Sequence, residues 1–198
     1  MKTFALCVLV TVLMGCDDSE KALGTIAQNG NAGSLDGSYI LGPISVADVL
    51  GGGGGFGYGA VNGYPGASAD IGRIGVPKHI EGYWAKQNPN AQGYVAFYRI
   101  SADIDSELAE KKIRTLRNYY QSYSEKDGSM QVIVENERIQ VLYTLVCVDL
   151  YSDCSPKENA DPQGWVKKSP RDVTDVVVLF DGKGERSLTP FPDSPYEN

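Results

Sequence analysis

Few residues in this chain are suited to chemistry, and they are scattered. The single histidine, His79, stands beside Lys78 and two residues before Glu81, where an imidazole can titrate near neutrality. One histidine excludes a multi-histidine metal centre or a histidine relay. A serine paired with His79, or two carboxylates drawn from Asp70, Glu81 and Asp103, would supply general acid–base or nucleophilic chemistry if the fold brought them together. The nucleophile-elbow pattern G-x-S-x-G is absent, because Gly66-Ala67-Ser68-Ala69-Asp70 lacks the final glycine. The sequence therefore assigns no catalytic residue.

The densest motif is the glycine run at residues 51–59, and 16 of the 23 glycines fall between Gly24 and Gly75. A phosphate-cradling loop would need Gly-Lys-Ser/Thr after the glycines, whereas Ala60-Val61-Asn62 follows. A dinucleotide loop would need a helix next, and Tyr64-Pro65-Gly66 breaks one. No cofactor is expected. Phe56, Tyr58 and Tyr64, spaced by glycine, are either aromatic contact area for a protein partner or side chains folded back onto the core. They are the candidate partner-binding residues.

Four cysteines complete the inventory. Cys7 lies in an apolar run at residues 4–14, preceded by Lys2. That run is too short to span a bilayer but suits a secretory signal. It ends in Leu13-Met14-Gly15-Cys16, which resembles the lipobox of bacterial lipoproteins. The resemblance implies cleavage after residue 15, lipid on Cys16, and a periplasmic body held at the membrane, since acyl chains contribute about 0.8 kcal/mol per buried CH₂. Asp17 next to the lipidated residue resembles the enterobacterial signal for retention in the inner membrane, with the outer membrane as the alternative. Outside the cytoplasm, the remaining Cys147 and Cys154 are expected to form a disulfide. With no second histidine or further cysteine beside them, no metal site is expected.

The chain has 198 residues, 18 basic against 25 acidic, for a net charge of −7. Loss of residues 1–15 removes Lys2 and no acid, leaving −8. Such a balance argues against nucleic-acid binding, which needs a basic face.

Residues 17–38 are polar and rich in Gly, Asn and Ser, and read as a flexible tether carrying one globular domain over residues 39–198. Within it, residues 39–41, 44–46, 80–86, 93–100, 130–134, 138–149, 173–180 and 185–188 have strand character. Residues 141–148 are apolar nearly throughout, as in a strand buried on both faces. Asp181-Gly182-Lys183-Gly184 reads as a hairpin turn. One amphipathic helix is expected, N-capped by Asp105, with Ala109, Ile113, Leu116, Tyr120 and Tyr123 on its inner face and Asp127-Gly128 at its end. The fold class is α+β, mostly antiparallel β in a sheet or sandwich.

Taken in order, the lipobox, the glycine-rich aromatic segment, Val76-Pro77 with Ile80 and Trp84, and Phe180-Asp181-Gly182-Lys183-Gly184 resemble small Gram-negative lipoproteins akin to type VI secretion phospholipase immunity proteins. The resemblance covers about residues 40–185. The cysteine pair usual after that family's glycine loop is absent here. It implies a membrane-anchored protein that binds and inhibits a phospholipase effector. The alternatives are an envelope scaffold or a periplasmic hydrolase.

Overall fold

A computed structural model describes residues 22–123, 128–147, 153–170 and 174–197. It is 55% strand, with one helix among the described residues, an α+β fold dominated by antiparallel sheet. Residues 1–21, with Cys16 and Asp17, lie outside the described residues, as do Asp127, 148–152 and 171–173, so the expected signal segment, helix terminator and strand ends there receive no structural account.

The amino-terminal half supplies β1 (Ala27–Ser34), β2 (Ser38–Leu41), β3 (Ser45–Asp48), β4 (Gly53–Gly55), β5 (Tyr58–Asn62), β6 (Ala67–Ile74), β7 (Pro77–Gln87) and β8 (Tyr94–Asp103). The helix α1 (Ser106–Arg117) follows, then β9 (Tyr120–Ser122), β10 (Gly128–Glu135), β11 (Arg138–Leu145), β12 (Asp153–Pro156), β13 (Val166–Lys168), β14 (Asp175–Lys183) and β15 (Glu185–Ser187). The first sheet runs β13-β14-β11-β10-β1-β6, and the second β15-β8-β7-β2-β5, with β3 on β7 and β4 on β3. β9 and β12 form a separate two-stranded sheet, and among the described residues every pairing is antiparallel except β1 with β10.

The two sheets share one core. Val132, Val134, Ile139, Val141, Tyr143 and Val177 of the first meet Tyr39, Ile80, Trp84, Tyr98 and Ile100 of the second, joined by Ala109, Ile113 and Leu116 of α1. The opposite face of the first sheet is also covered where Tyr64 packs on Ile133, Leu142 and Val176, so β11 is buried on both sides as its composition predicts. Far from the helix, the turn between β10 and β11 is held by the second sheet. Trp84 Nε1 donates to the Asn136 carbonyl at 2.8 Å, and the Asn136 N–H donates to the Tyr39 hydroxyl at 2.8 Å.

Three expectations are corrected. The stretch read as tether contains β1, an interior strand between β10 and the edge strand β6. Its small residues are a packing requirement: a Cβ at Gly30 would stand 2.9 Å from both the Ile71 side chain and the Met130 carbonyl, and one at Gly33 would stand 2.7 Å from the Gly63 carbonyl. Composition that reads as freedom serves close approach of backbones. The folded domain therefore begins before residue 39.

The helix starts where expected, with Asp105 accepting from the Leu108 N–H at 2.9 Å, but stops at Arg117. Tyr120 belongs to β9, where its hydroxyl donates to Asp175 at 2.8 Å. Residues 181–184 do not close a hairpin. β14 pairs with β11 in the first sheet and β15 with β8 in the second, so Gly184 is the point where the chain changes sheets.

Candidate functional site

The outer face of the second sheet gathers most of the polar chemistry. On β7 and β8 the register sets His79 opposite Asp103 and Glu81 opposite Ser101. Alternation along a strand puts these four side chains, with Arg99, on one face. His79 Nδ1 lies 2.8 Å from Asp103 Oδ1, and Nε2 lies 3.3 Å from Ser101 Oγ. That connectivity is the one a serine nucleophile, its base and an orienting acid require. The Asp103 side chain is 94% exposed, however, so water screens its hold on the imidazole.

The expected carboxylate set is only partly assembled. Glu81 and Asp103 share the face as diagonal neighbours, while Asp70 lies on β6 in the other sheet and accepts from the Gly72 N–H at 2.8 Å.

Beside this trio opens a cleft of about 770 Å³, lined among others by Glu81, Arg99, Ser101, Lys183 and Glu185. Lys183 also lines a shallower cleft of about 490 Å³ with Glu137, Arg138 and Asp181. The two form one charged shelf of alternating sign. Ion pairs fix its side chains: Arg99 to Glu185 at 2.7 Å, Arg138 to Asp181 at 2.6 Å, and Lys183 to Glu137 at 3.1 Å. The Arg138 guanidinium bonds Asp181 through two nitrogens and holds its carboxyl below the ordinary range. The Lys183 ammonium does the same to Glu137.

The proline-rich tail packs beside the shelf on the same face of the second sheet. Phe191 lies under the Arg99 guanidinium, 4.6 Å to the ring centre, and packs with Ala85 and Phe97. The Tyr196 hydroxyl accepts from the Gly42 N–H at 2.7 Å and donates to the Ile40 carbonyl at 2.9 Å.

The aromatic residues expected to contact a partner are placed differently. Phe56 is fully buried in the main core. Tyr64 is buried, and its hydroxyl donates to Gln131 at 2.6 Å. Tyr58 is half-buried with its hydroxyl enclosed, and burial pushes its pKa up. Neither Phe56 nor Tyr64 offers contact area: the glycine run folds as β4 and β5 with Phe56 turned into the main core between them, and Tyr64 packs on Ile133, Leu142 and Val176.

The turn that opens the run is held by Asp48, 1% exposed, which accepts from the N–H groups of Leu50 (2.9 Å), Gly52 (2.8 Å) and Gly75 (2.7 Å). What this turn displays is aliphatic: Val49 is 42% and Leu50 56% exposed. The sequence signal for this turn is an Asp opening a glycine run.

Cys147 and Cys154 are joined in a disulfide, which ties β12 to the end of β11. Among the described residues no three His, Cys, Asp or Glu side chains converge as metal ligands, and no helix is long and apolar enough to cross a membrane. Compared with family models, curated proteins and solved structures, the chain matches none.

Proposed function

We propose that this chain is a lipoprotein anchored through Cys16 on the periplasmic face of the envelope, that its domain binds a protein partner, and that the partner is a secreted lipase-type toxin held inactive in the complex. The observation that carries the reading is the charged shelf around Lys183. A small-molecule site encloses most of its ligand, whereas this surface is broad, open and studded with fixed charges of both signs. Such a surface suits protein recognition, where charge complementarity sets specificity and association rate. The lipobox at residues 13–16 and the resemblance to immunity lipoproteins supply the location and the class of partner.

The test is inhibition of purified lipase-type toxins on phospholipid substrate by the full chain in detergent. One-to-one binding with loss of lipase activity is expected, weakened about tenfold or more by R99E with K183E. A chain that binds no toxin and leaves hydrolysis unchanged overturns the reading in favour of a scaffold.

A hydrolytic second reading has one observation in its favour, the order Ser101–His79–Asp103. It requires labelling of Ser101 by a fluorophosphonate probe, abolished by H79A. An unlabelled wild-type chain removes it.

A further inference from the structure

The chain running back toward Cys16 leaves the fold at a defined place. The Ile26 N–H donates to the Ile74 carbonyl at 2.8 Å, and the Leu23 N–H donates to Glu110 of α1 at 3.1 Å. On the other side of the same segment, the Gly75 N–H donates to Asp48 at 2.7 Å and the Val49 N–H donates to the Val76 carbonyl at 3.0 Å. Residues 74–76 thus carry the incoming chain on one flank and the Asp48 turn on the other. Cys16 precedes Leu23 by only seven residues, a reach of at most about 25 Å. A bilayer holding lipid on Cys16 is therefore within reach of this end of the sandwich.

At that end the Asp48 turn projects Val49 and Leu50, held in place by the three N–H bonds to the carboxylate. Leu50 leans on Gly75, where a Cβ would stand 2.8 Å from its methyl carbon. Exposed Arg73 and Lys78 flank the segment, and Asp103 and Asp105 stand at the start of α1. The Lys183 end of the shelf lies the other way, since Lys183 and the turn at residues 135–137 are at the far ends of β14, β10 and β11, while Glu81 and Ser101 stand nearer the Asp48 turn.

We propose that Val49 and Leu50 form a second, apolar contact with the phospholipid bilayer beside the lipid anchor, seating this end of the sandwich in the headgroup region and turning the Lys183 end of the shelf toward the aqueous compartment. This rests on the reading that Cys16 is lipidated. A rigid aliphatic pair suits the boundary between headgroups and acyl chains, and an apolar contact of this kind persists at salt concentrations that screen adsorption by charge.

The experiment uses the full lipidated chain reconstituted in vesicles of three parts phosphatidylethanolamine to one part phosphatidylglycerol. An environment-sensitive fluorophore is placed on L50C and, as a control at the opposite end of β8, on L188C; Leu188 is 71% exposed. Contact predicts blue-shifted emission at position 50, retained at high salt. It also predicts about twofold quenching there by lipids carrying a nitroxide near the headgroup, because such contacts sit roughly 5–10 Å deep. The probe at position 188 is expected to show neither.

Vesicle-bound chain with identical spectra at both positions overturns the apolar contact and leaves the anchor standing. Chain that fails to float with vesicles overturns both. A blue shift at position 50 that requires added toxin rather than lipid assigns the turn to the protein partner and overturns the proposal.

Discussion

Trp84 and Asn136 lock the two sheets together: the indole N–H of a core residue in β7 donates to the main-chain carbonyl of the β10–β11 turn at 2.8 Å. The same ring closes the path of the crossing strand, since a Cβ at Gly184 would stand 2.5 Å from its edge. W84F deletes the donor and leaves the Asn136 carbonyl unpaired at a cost of about 1–3 kcal/mol. G184A overpacks the same spot by about 1–3 kcal/mol. Urea denaturation of both variants measures the two losses. Stability unchanged in both would mean that the crossing is not packed as described.

Asp48 acts as the acceptor for a whole turn. D48A leaves three N–H groups without their acceptor, those of Leu50, Gly52 and Gly75. A loss of about 3 kcal/mol is expected, since each buried unpaired donor costs about 1–3 kcal/mol and the turn recovers part of this from water. Hydrogen exchange should rise first at Gly52 and Gly75.

The expected acid sensitivity has a defined source. Arg138 holds the Asp181 carboxyl below its ordinary value of 3.8. A carboxylate depressed in the folded state contributes stability that is present above its unfolded pKa and lost as pH falls through the folded one. Stability should therefore decline below about pH 4, and D181N should flatten part of that decline. Thermal unfolding from pH 2 to 6 reads the difference, and parallel curves for the two proteins would assign the acid limb elsewhere.

The Cys147–Cys154 bond closes a short loop between the end of β11 and β12. Closing a loop of this size contributes about 2–3 kcal/mol by restricting the unfolded chain. Replacing both cysteines with serine should cost that much, and dithiothreitol should lower the wild type to the same level. Because β12 pairs only with β9 among the described residues, proteolysis should begin there in the reduced protein.

Features set by one residue and its near neighbours were legible in the sequence. The start of α1 follows from Asp105, and its inner face from the spacing of Ala109, Ile113 and Leu116. The double burial of β11 follows from its unbroken apolar run. What depended on partners distant in sequence was not. β1 carries no apolar alternation because Gly30 and Gly33 are selected by what lies against them, Ile71 and the 63–65 turn. For Tyr64 the choice between partner contact and core stays open in the sequence, since nothing local reveals that Gln131 accepts from its hydroxyl.

The His79, Ser101 and Asp103 cluster was half legible. The two strands were legible at residues 80–86 and 93–100, which stop short of all three side chains, and the register that brings these together is set by partners distant in sequence. Tyr120 and Tyr123 kept the helical spacing past Arg117, yet Asp175 and the pairing with β12 drew that segment into a strand.

The interior place of β1, between β6 and β10, has a consequence for biogenesis. In a chain exported amino end first, as proposed, β1 emerges among the earliest segments, yet its parallel neighbour β10 begins a hundred residues later. The six-stranded sheet cannot close until most of the polypeptide has crossed. Such long-range pairing folds slowly, so on the proposed export route the emerging chain would pair β1 with β6 early and leave the β10-facing edge of β1 open until late, a window in which chaperones would find it.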